Sequence, residues 1–218
     1  MVPDAVIFDL DGVLIDSEQL WANAKRQLVL DTGGRWREGS ARAMLGMSAP
    51  EWSRYMHDEL GVPLAAEEID SDVVQRMEES YRAELPLVPG AAESVRALHR
   101  RWPLGLASSS NREIINLVLD LAGLTDAFTA TVSSEEVERG KPAPDVYLEA
   151  ALRVGVHANR CTAVEDSSNG LRAAAGAGMA VIAVPNPHYP PDADALALAS
   201  ARVTTVGEVT PELVESID

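Results

Sequence analysis

Two carboxylates separated by one residue, Asp9 and Asp11, follow directly on the apolar run Val6-Ile7-Phe8. A carboxylate is a competent nucleophile toward phosphorus only where the phosphate charge is neutralised and water is managed. A second carboxyl close by can donate a proton to a leaving oxygen and later take one from water. Gly12 then permits an abrupt turn. The same spacing also suits a helix cap or a calcium-type ligand set, so the pair alone leaves both readings open. Ser108 ends Leu104-Gly105-Leu106-Ala107, and its hydroxyl with the neighbouring backbone N–H groups, Ser109 included, is placed to hold phosphate oxygens at a helix start. Ser110 with Glu113 reads as a capping box there, and a plain loop and cap is the competing reading. Lys141 precedes Pro142, which biases it to an extended conformation and projects its ammonium from a loop, whether toward an anion or toward solvent. Glu165-Asp166 closes Thr162-Ala163-Val164 and offers the hard oxygen ligands that magnesium prefers.

The elements that must position these groups alternate. Short apolar runs at Val6-Ile7-Phe8, Leu104 to Ala107, Thr162 to Val164 and Ala180 to Val184 read as buried parallel strands, with 128–132 a weaker one and 203–206 a final one. Helical patterns lie between them at 91–101, 113–122, 145–154 and 168–175. This alternation predicts an α/β fold, a doubly wound parallel sheet, whose ligands bind beyond the carboxyl ends of the strands. Asp9, Ser108, Glu165 and Asp166 all fall at such ends. The stretch between Asp16 and Leu85 breaks the pattern and reads as helix throughout. Asp16-Ser17 is expected to cap a helix that Gly33-Gly34 stops, and Ser48 with Glu51 forms a capping box before Trp52, Met56 and Leu60. Ile69, Val73, Met77 and Tyr81 give a further apolar face. The expected organisation is a core at 1–15 and 87–218 with a helical cap domain inserted at 16–86.

The run Asp9-Leu10-Asp11-Gly12-Val13-Leu14-Ile15-Asp16-Ser17-Glu18 strongly resembles the opening motif of the haloacid dehalogenase superfamily. Ser108 matches its hydroxyl motif, Lys141-Pro142-Ala143-Pro144-Asp145 its lysine motif, and Glu165-Asp166-Ser167 its acidic motif, in order and across nearly the whole chain. The helical insert is similar to that of the group containing β-phosphoglucomutases and small sugar phosphatases. The resemblance implies a Rossmann-like core and a catalytic set of Asp9 as nucleophile, Asp11 as acid and base, Ser108 and Lys141. It implies Mg2+ held by Asp9, the main-chain carbonyl of Asp11, Asp166 and, directly or through water, Glu165. Leu10, Ser108, Ser109 and Lys141 are the expected phosphate contacts, and Gly46, Met47, Arg54 and Asn111 the expected substrate contacts.

Asp11 argues for phosphate monoesters, since dehalogenases and phosphonate-cleaving members of the superfamily lack an acid at that position. Leu45 and Ala49 stand where a β-phosphoglucomutase would carry basic residues flanking Gly46, with Arg42 and Arg54 the nearest substitutes, so hydrolysis is favoured over a phosphosugar mutase. The reading from another class is a non-enzymatic phosphoacceptor module resembling a response-regulator domain. There the acidic pair precedes a separate phosphoacceptor, and no helical insert interrupts the first crossover.

With 34 acidic against 18 basic residues and a formal charge of −16, a large nucleic-acid footprint is excluded, because that binding runs on phosphate neutralisation. An anionic substrate is repelled by the same field, so a phosphate site needs a local cation or metal. No apolar run is long enough for a membrane span and the start lacks a secretory pattern, so the expectation is a cytoplasmic monomer acting on a small phosphorylated metabolite. The single Cys161 reads as a buried thiol. His57, His99, His157 and His188 lack ligand spacing, and Trp21, Trp52, Met44, Met47 and Met56 read as packing within the helical insert.

Overall fold

The computed structural model describes residues 2–44, 47–187 and 189–217. Six parallel strands form one sheet: β1 (Ala5–Phe8), β2 (Leu104–Ser108), β3 (Ala130–Ser133), β4 (Cys161–Glu165), β5 (Ala180–Ala183) and β6 (Ala201–Arg202). Their order across the sheet is β3-β2-β1-β4-β5-β6, with Phe8 opposite Val164 and Val6 opposite Leu104. Successive side chains leave a strand on opposite faces. Val6 and Phe8 therefore join the apolar layer of one face with Leu104, Leu106, Val95 and Ile115, while Ala5 and Ile7 join Ala107, Ala163, Tyr147 and Leu171 on the other. Burial on both faces is why β1 is apolar at every position.

The core helices are α5 (Ala91–His99), α6 (Arg112–Leu121), α7 (Asp145–Val154), α8 (Ser168–Gly176), α9 (Ala193–Leu196) and α10 (Pro211–Ser216); the helices between β1 and α5 are α1 (Glu18–Asp31), α2 (Ser40–Ala43), α3 (Ala49–Asp58) and α4 (Ala66–Ala83). Ser48 N–H and hydroxyl both donate to Glu51 Oε2 at 2.7 Å, closing the first turn of α3, and Trp52, Met56 and Leu60 are buried behind it. Ile69, Val73, Met77 and Tyr81 form the buried face of α4. None of the described helices is long and apolar enough to cross a membrane.

The chain enters and leaves this helical stretch through one seam. Asp16 N–H donates to Pro86 O at 2.8 Å and Val88 N–H to Leu14 O at 2.9 Å, with Ile15 and Leu87 bridged antiparallel. Three local expectations change. The last strand is Ala201–Arg202 rather than 203–206, because only those residues register against β5, and Val206 instead opens a 3-10 turn. The third begins at Ala130, after a 3-10 turn at Thr125–Ala127. Ser110 is not the cap of α6: the N-cap is Asn111, and no capping box with Glu113 forms there.

Candidate active site

β1 and β4 are neighbours at the middle of the sheet although β2 and β3 intervene in sequence. Crossovers run to opposite sides from this point, which leaves a crevice at the carboxyl ends of the two strands. Asp9 N–H donates to Val164 O at 3.0 Å, prolonging the β1–β4 pairing by one residue and fixing where the Asp9 side chain leaves the sheet. Glu165 and Asp166 leave β4 at the same level. One carboxylate oxygen from each of Asp9, Glu165 and Asp166 falls within 4.8 Å of the others, and all three residues are buried.

Lys141 comes from the loop before α7 and is buried rather than solvated. Its Nζ donates to Asp9 Oδ1 at 2.7 Å and to Glu165 Oε1 at 2.6 Å. Tyr147 on α7 adds its hydroxyl to Glu165 Oε1 at 3.0 Å. The other oxygen, Oε2, accepts from the N–H groups of Asp166 and Ser167 at 2.9 and 3.0 Å and from the Ser167 hydroxyl at 3.1 Å. Glu165 is thus saturated with donors, as a buried carboxylate must be. Burial pushes Asp9 up to about 8, opposed by Lys141 and reinforced by Glu165 and Asp11. Burial also raises Asp166 well above the ordinary carboxylate range, with Glu165 and Asp9 adding to it. For Lys141 burial acts downward, but Asp9 and Glu165 outweigh it and hold the ammonium charged above its usual range. Three buried carboxylates against one ammonium is a deficit of positive charge in an all-oxygen pocket, the donor set that suits a divalent cation such as magnesium.

Asp11 is held from two directions. Its Oδ1 accepts from the Ser17 hydroxyl and, at 3.3 Å, from Trp21 Nε1 on α1. Its Oδ2 accepts from the Ser110 hydroxyl at 2.7 Å and the Ser108 hydroxyl at 3.4 Å. Ser108 also accepts the Ser110 N–H at 2.9 Å, so both serines serve Asp11 and the loop. Ser17 is the first flanking residue of α1 but makes no side-chain cap, because its hydroxyl is spent on Asp11.

The crevice encloses about 140 Å³ between the sheet and the helical insert. Asp9, Asp11, Lys141 and Asp166 line its floor, Ser109, Ser110 and Asn111 one side, and Trp21, Lys25, Met44, Met47 and Trp52 the roof. Of the expected phosphate and substrate contacts, Ser109, Met47 and Asn111 line the crevice. Leu10, Ser108 and Glu165 are fully buried behind the wall, which leaves Leu10 only its main chain to offer. Arg54 does not belong to the crevice: α3 buries Trp52, Ser53 and Met56, and Arg54 is turned to solvent, as is Arg42 on α2. Leu45, Gly46 and His188 lie outside the described residues. The Asn111 amide nitrogen donates to Asp70 of α4 at 3.2 and 3.3 Å and to Glu135 at 2.9 Å, tying the insert to the core. Ser17, Trp21, Lys25, Ser110 and Tyr147 were not singled out as site residues. Trp21 and Tyr147 carried one available sign, a polar handle on an apolar helix face that must find a partner when buried.

A family model of haloacid dehalogenase-like hydrolases matches residues 3–178. The chain belongs to that family. This haloacid dehalogenase-like hydrolase is an enzyme, and several of its relatives carry phosphatase names. Hexitol phosphatase B of Escherichia coli strain K12 is 34% identical over 212 residues, 94% of each chain. A probable pseudouridine-5'-phosphatase of Drosophila melanogaster is 34% identical over 188 residues, 83% of this chain and 81% of that one. Among solved structures, CbbY from Rhodobacter sphaeroides in complex with phosphate superposes with a TM-score of 0.88 at 25% identity, covering 99% of this chain and 100% of its own.

Proposed function

We propose that the chain is a magnesium-dependent phosphatase of small phosphorylated metabolites, sugar phosphates foremost, working through an aspartyl-phosphate at Asp9. The observation that carries this reading is the Lys141 ammonium fixed between Asp9 and Glu165 while a second acid, Asp11, is held by donors of its own. The relatives named for hexitol phosphate and pseudouridine phosphate hydrolysis, and the phosphate-bound CbbY structure, support it.

In the first step a carboxylate oxygen of Asp9 forms a bond to phosphorus as the bond to the leaving oxygen breaks, and Asp11 donates its proton to that oxygen. In the second, Asp11 takes a proton from water, whose oxygen bonds to phosphorus and releases Asp9 with inorganic phosphate. Lys141 screens Asp9 from the phosphate and is positioned by Glu165, whose own oxygens are fully engaged by donors. The N–H groups of the Leu10 and Ser109 segments hold phosphate oxygens. Asp9, Asp166 and the Asp11 carbonyl would hold Mg2+, which when bound neutralises the phosphate charge that this acidic protein otherwise repels, while Glu165, its oxygens already taken by donors, serves by positioning Lys141. The helical insert serves as the cap that excludes water from the crevice.

Asp9→Asn should abolish release of inorganic phosphate from p-nitrophenyl phosphate in magnesium buffer, and chelation of the metal should do the same to the unaltered enzyme. Turnover retained by Asp9→Asn overturns the assignment. With a hexose monophosphate in place of p-nitrophenyl phosphate, accumulation of an isomerised sugar phosphate rather than inorganic phosphate would shift the reading to a mutase.

A further inference from the structure

Lys25 projects from α1 into the roof of the crevice with more than nine-tenths of its surface buried, and no described residue accepts a hydrogen bond from it. Its Nζ lies 4.6 Å from the ring centroid of Trp52 and 5.3 Å from that of Trp21, a two-sided aromatic seat that fixes the ammonium in place. A buried ammonium without an acceptor is costly, so this one is in want of an oxygen from the crevice. Burial lowers it to about 8, opposed by Asp11, Glu18 and Asp70, which leaves it largely charged near neutrality. Close by, Glu18 lines the same cavity with Oε2 buried and unpartnered.

We propose that Lys25 is the specificity-determining residue for the alcohol half of the substrate, donating to a hydroxyl of an uncharged polyol chain. This rests on the phosphatase reading above. The roof holds one ammonium and one carboxylate, Lys25 and Glu18, among Trp21, Trp52, Met44 and Met47. A donor beside an acceptor on an apolar wall matches successive hydroxyls along a carbon chain. It does not match a second phosphate, whose two charges would meet a single cation already faced by Glu18, Asp11 and Asp70. The favoured ligand class is therefore a sugar or sugar-alcohol monophosphate, and a bisphosphate is disfavoured.

The test compares kcat/KM for a hexitol monophosphate with kcat/KM for phenyl phosphate, which lacks hydroxyls, in the full-length enzyme with Mg2+. Lys25→Met removes the donor and keeps the stem between the indoles; the hexitol-to-phenyl ratio should fall about tenfold, mostly through KM, as for loss of a charged hydrogen bond. Lys25→Arg should retain most of the ratio. A fall smaller than threefold, or a wild-type preference for a hexose bisphosphate over the matching monophosphate, overturns the proposal. Should Lys25→Met not fold by circular dichroism, Lys25→Gln takes its place under the same criterion. If the wild-type enzyme hydrolyses neither ester, the phosphatase reading itself fails, an outcome distinct from an unchanged ratio.

Discussion

Alanine at Gly170 should destabilise this protein, although glycine-to-alanine inside a helix ordinarily stabilises by up to about 1 kcal/mol. Gly170 is the third residue of α8, and a methyl group there would overlap the Glu165 carboxylate. That carboxylate cannot simply retreat. It accepts from Lys141 at 2.6 Å, from the Tyr147 hydroxyl at 3.0 Å, and from the Asp166 N–H and the Ser167 N–H and hydroxyl between 2.9 and 3.1 Å. Breaking a buried ion pair costs roughly 3–5 kcal/mol, and displacing Glu165 breaks one. Set against the helix gain, the net loss is about 2–4 kcal/mol. At about 2–4 °C per kcal/mol for a chain of this size, the midpoint should fall by roughly 4–16 °C. Turnover of p-nitrophenyl phosphate should fall at least about tenfold, since Lys141 is aimed by Glu165. Gly176→Ala, in the same helix, is the internal control. Its added methyl meets only Pro144 Cβ at 3.7 Å, an ordinary contact, so it should raise the midpoint slightly and leave turnover alone. The assay is thermal unfolding followed by circular dichroism beside steady-state kinetics. A Gly170→Ala protein that is as stable and as active as the Gly176→Ala control would refute the reasoning.

Gly12 has φ of 80°, and a methyl there would overlap the Asp166 carboxylate. Gly12→Ala should therefore raise the magnesium concentration giving half-maximal rate by about tenfold, the scale seen when metal ligands lose their positioning, and a metal titration of activity checks it. Trp21→Phe removes the indole N–H that lies 3.3 Å from Asp11 Oδ1. It should lower kcat severalfold, with a thermal midpoint within a few degrees of wild type. The Cys161 thiol is pushed up to about 11 by burial, with Asp4 adding. Because the folded value lies above the ordinary one, the thiol stays protonated through pH 9, and any stability tied to it is lost only as pH rises toward 11. Ellman's reagent at pH 8 should react slowly with the native protein and at once in urea; fast native reaction would contradict the burial.

The floor of the crevice was legible because each of its acids sits at the end of an apolar run. Asp9 after Val6-Ile7-Phe8 and Glu165-Asp166 after Thr162-Ala163-Val164 announce strand ends, and parallel strands deliver their ends to one edge. The roles of Ser110, Ser17 and Trp21 were not legible for one shared reason. A serine at a helix start is equally suited to a cap, and a tryptophan at helical spacing equally to packing; what decides is where Asp11 lies in space. Lys25 fell on α1 between apolar positions, where a lysine normally reads as solvated, and only the docking of Trp52 from α3 encloses it. Arg54 erred the other way, since the rotation of α3 is set by burial of Trp52 and Met56 and carries the guanidinium outward.

The seam at Leu14–Val88 and Asp16–Pro86 means that the helical stretch leaves the core and returns to it at a single point. To the sheet, all of α1 to α4 is equivalent to the tip of a hairpin. The entropic cost of closing such an excursion grows only with the logarithm of its length, so the core is nearly indifferent to how much chain lies beyond the seam. Selection can then rewrite the roof around Lys25 and Trp52 more freely than the strand ends that carry the acids, while Trp21 stays tied to Asp11 through its indole N–H. The fold thus separates the part that breaks the bond from the part that chooses whose bond is broken.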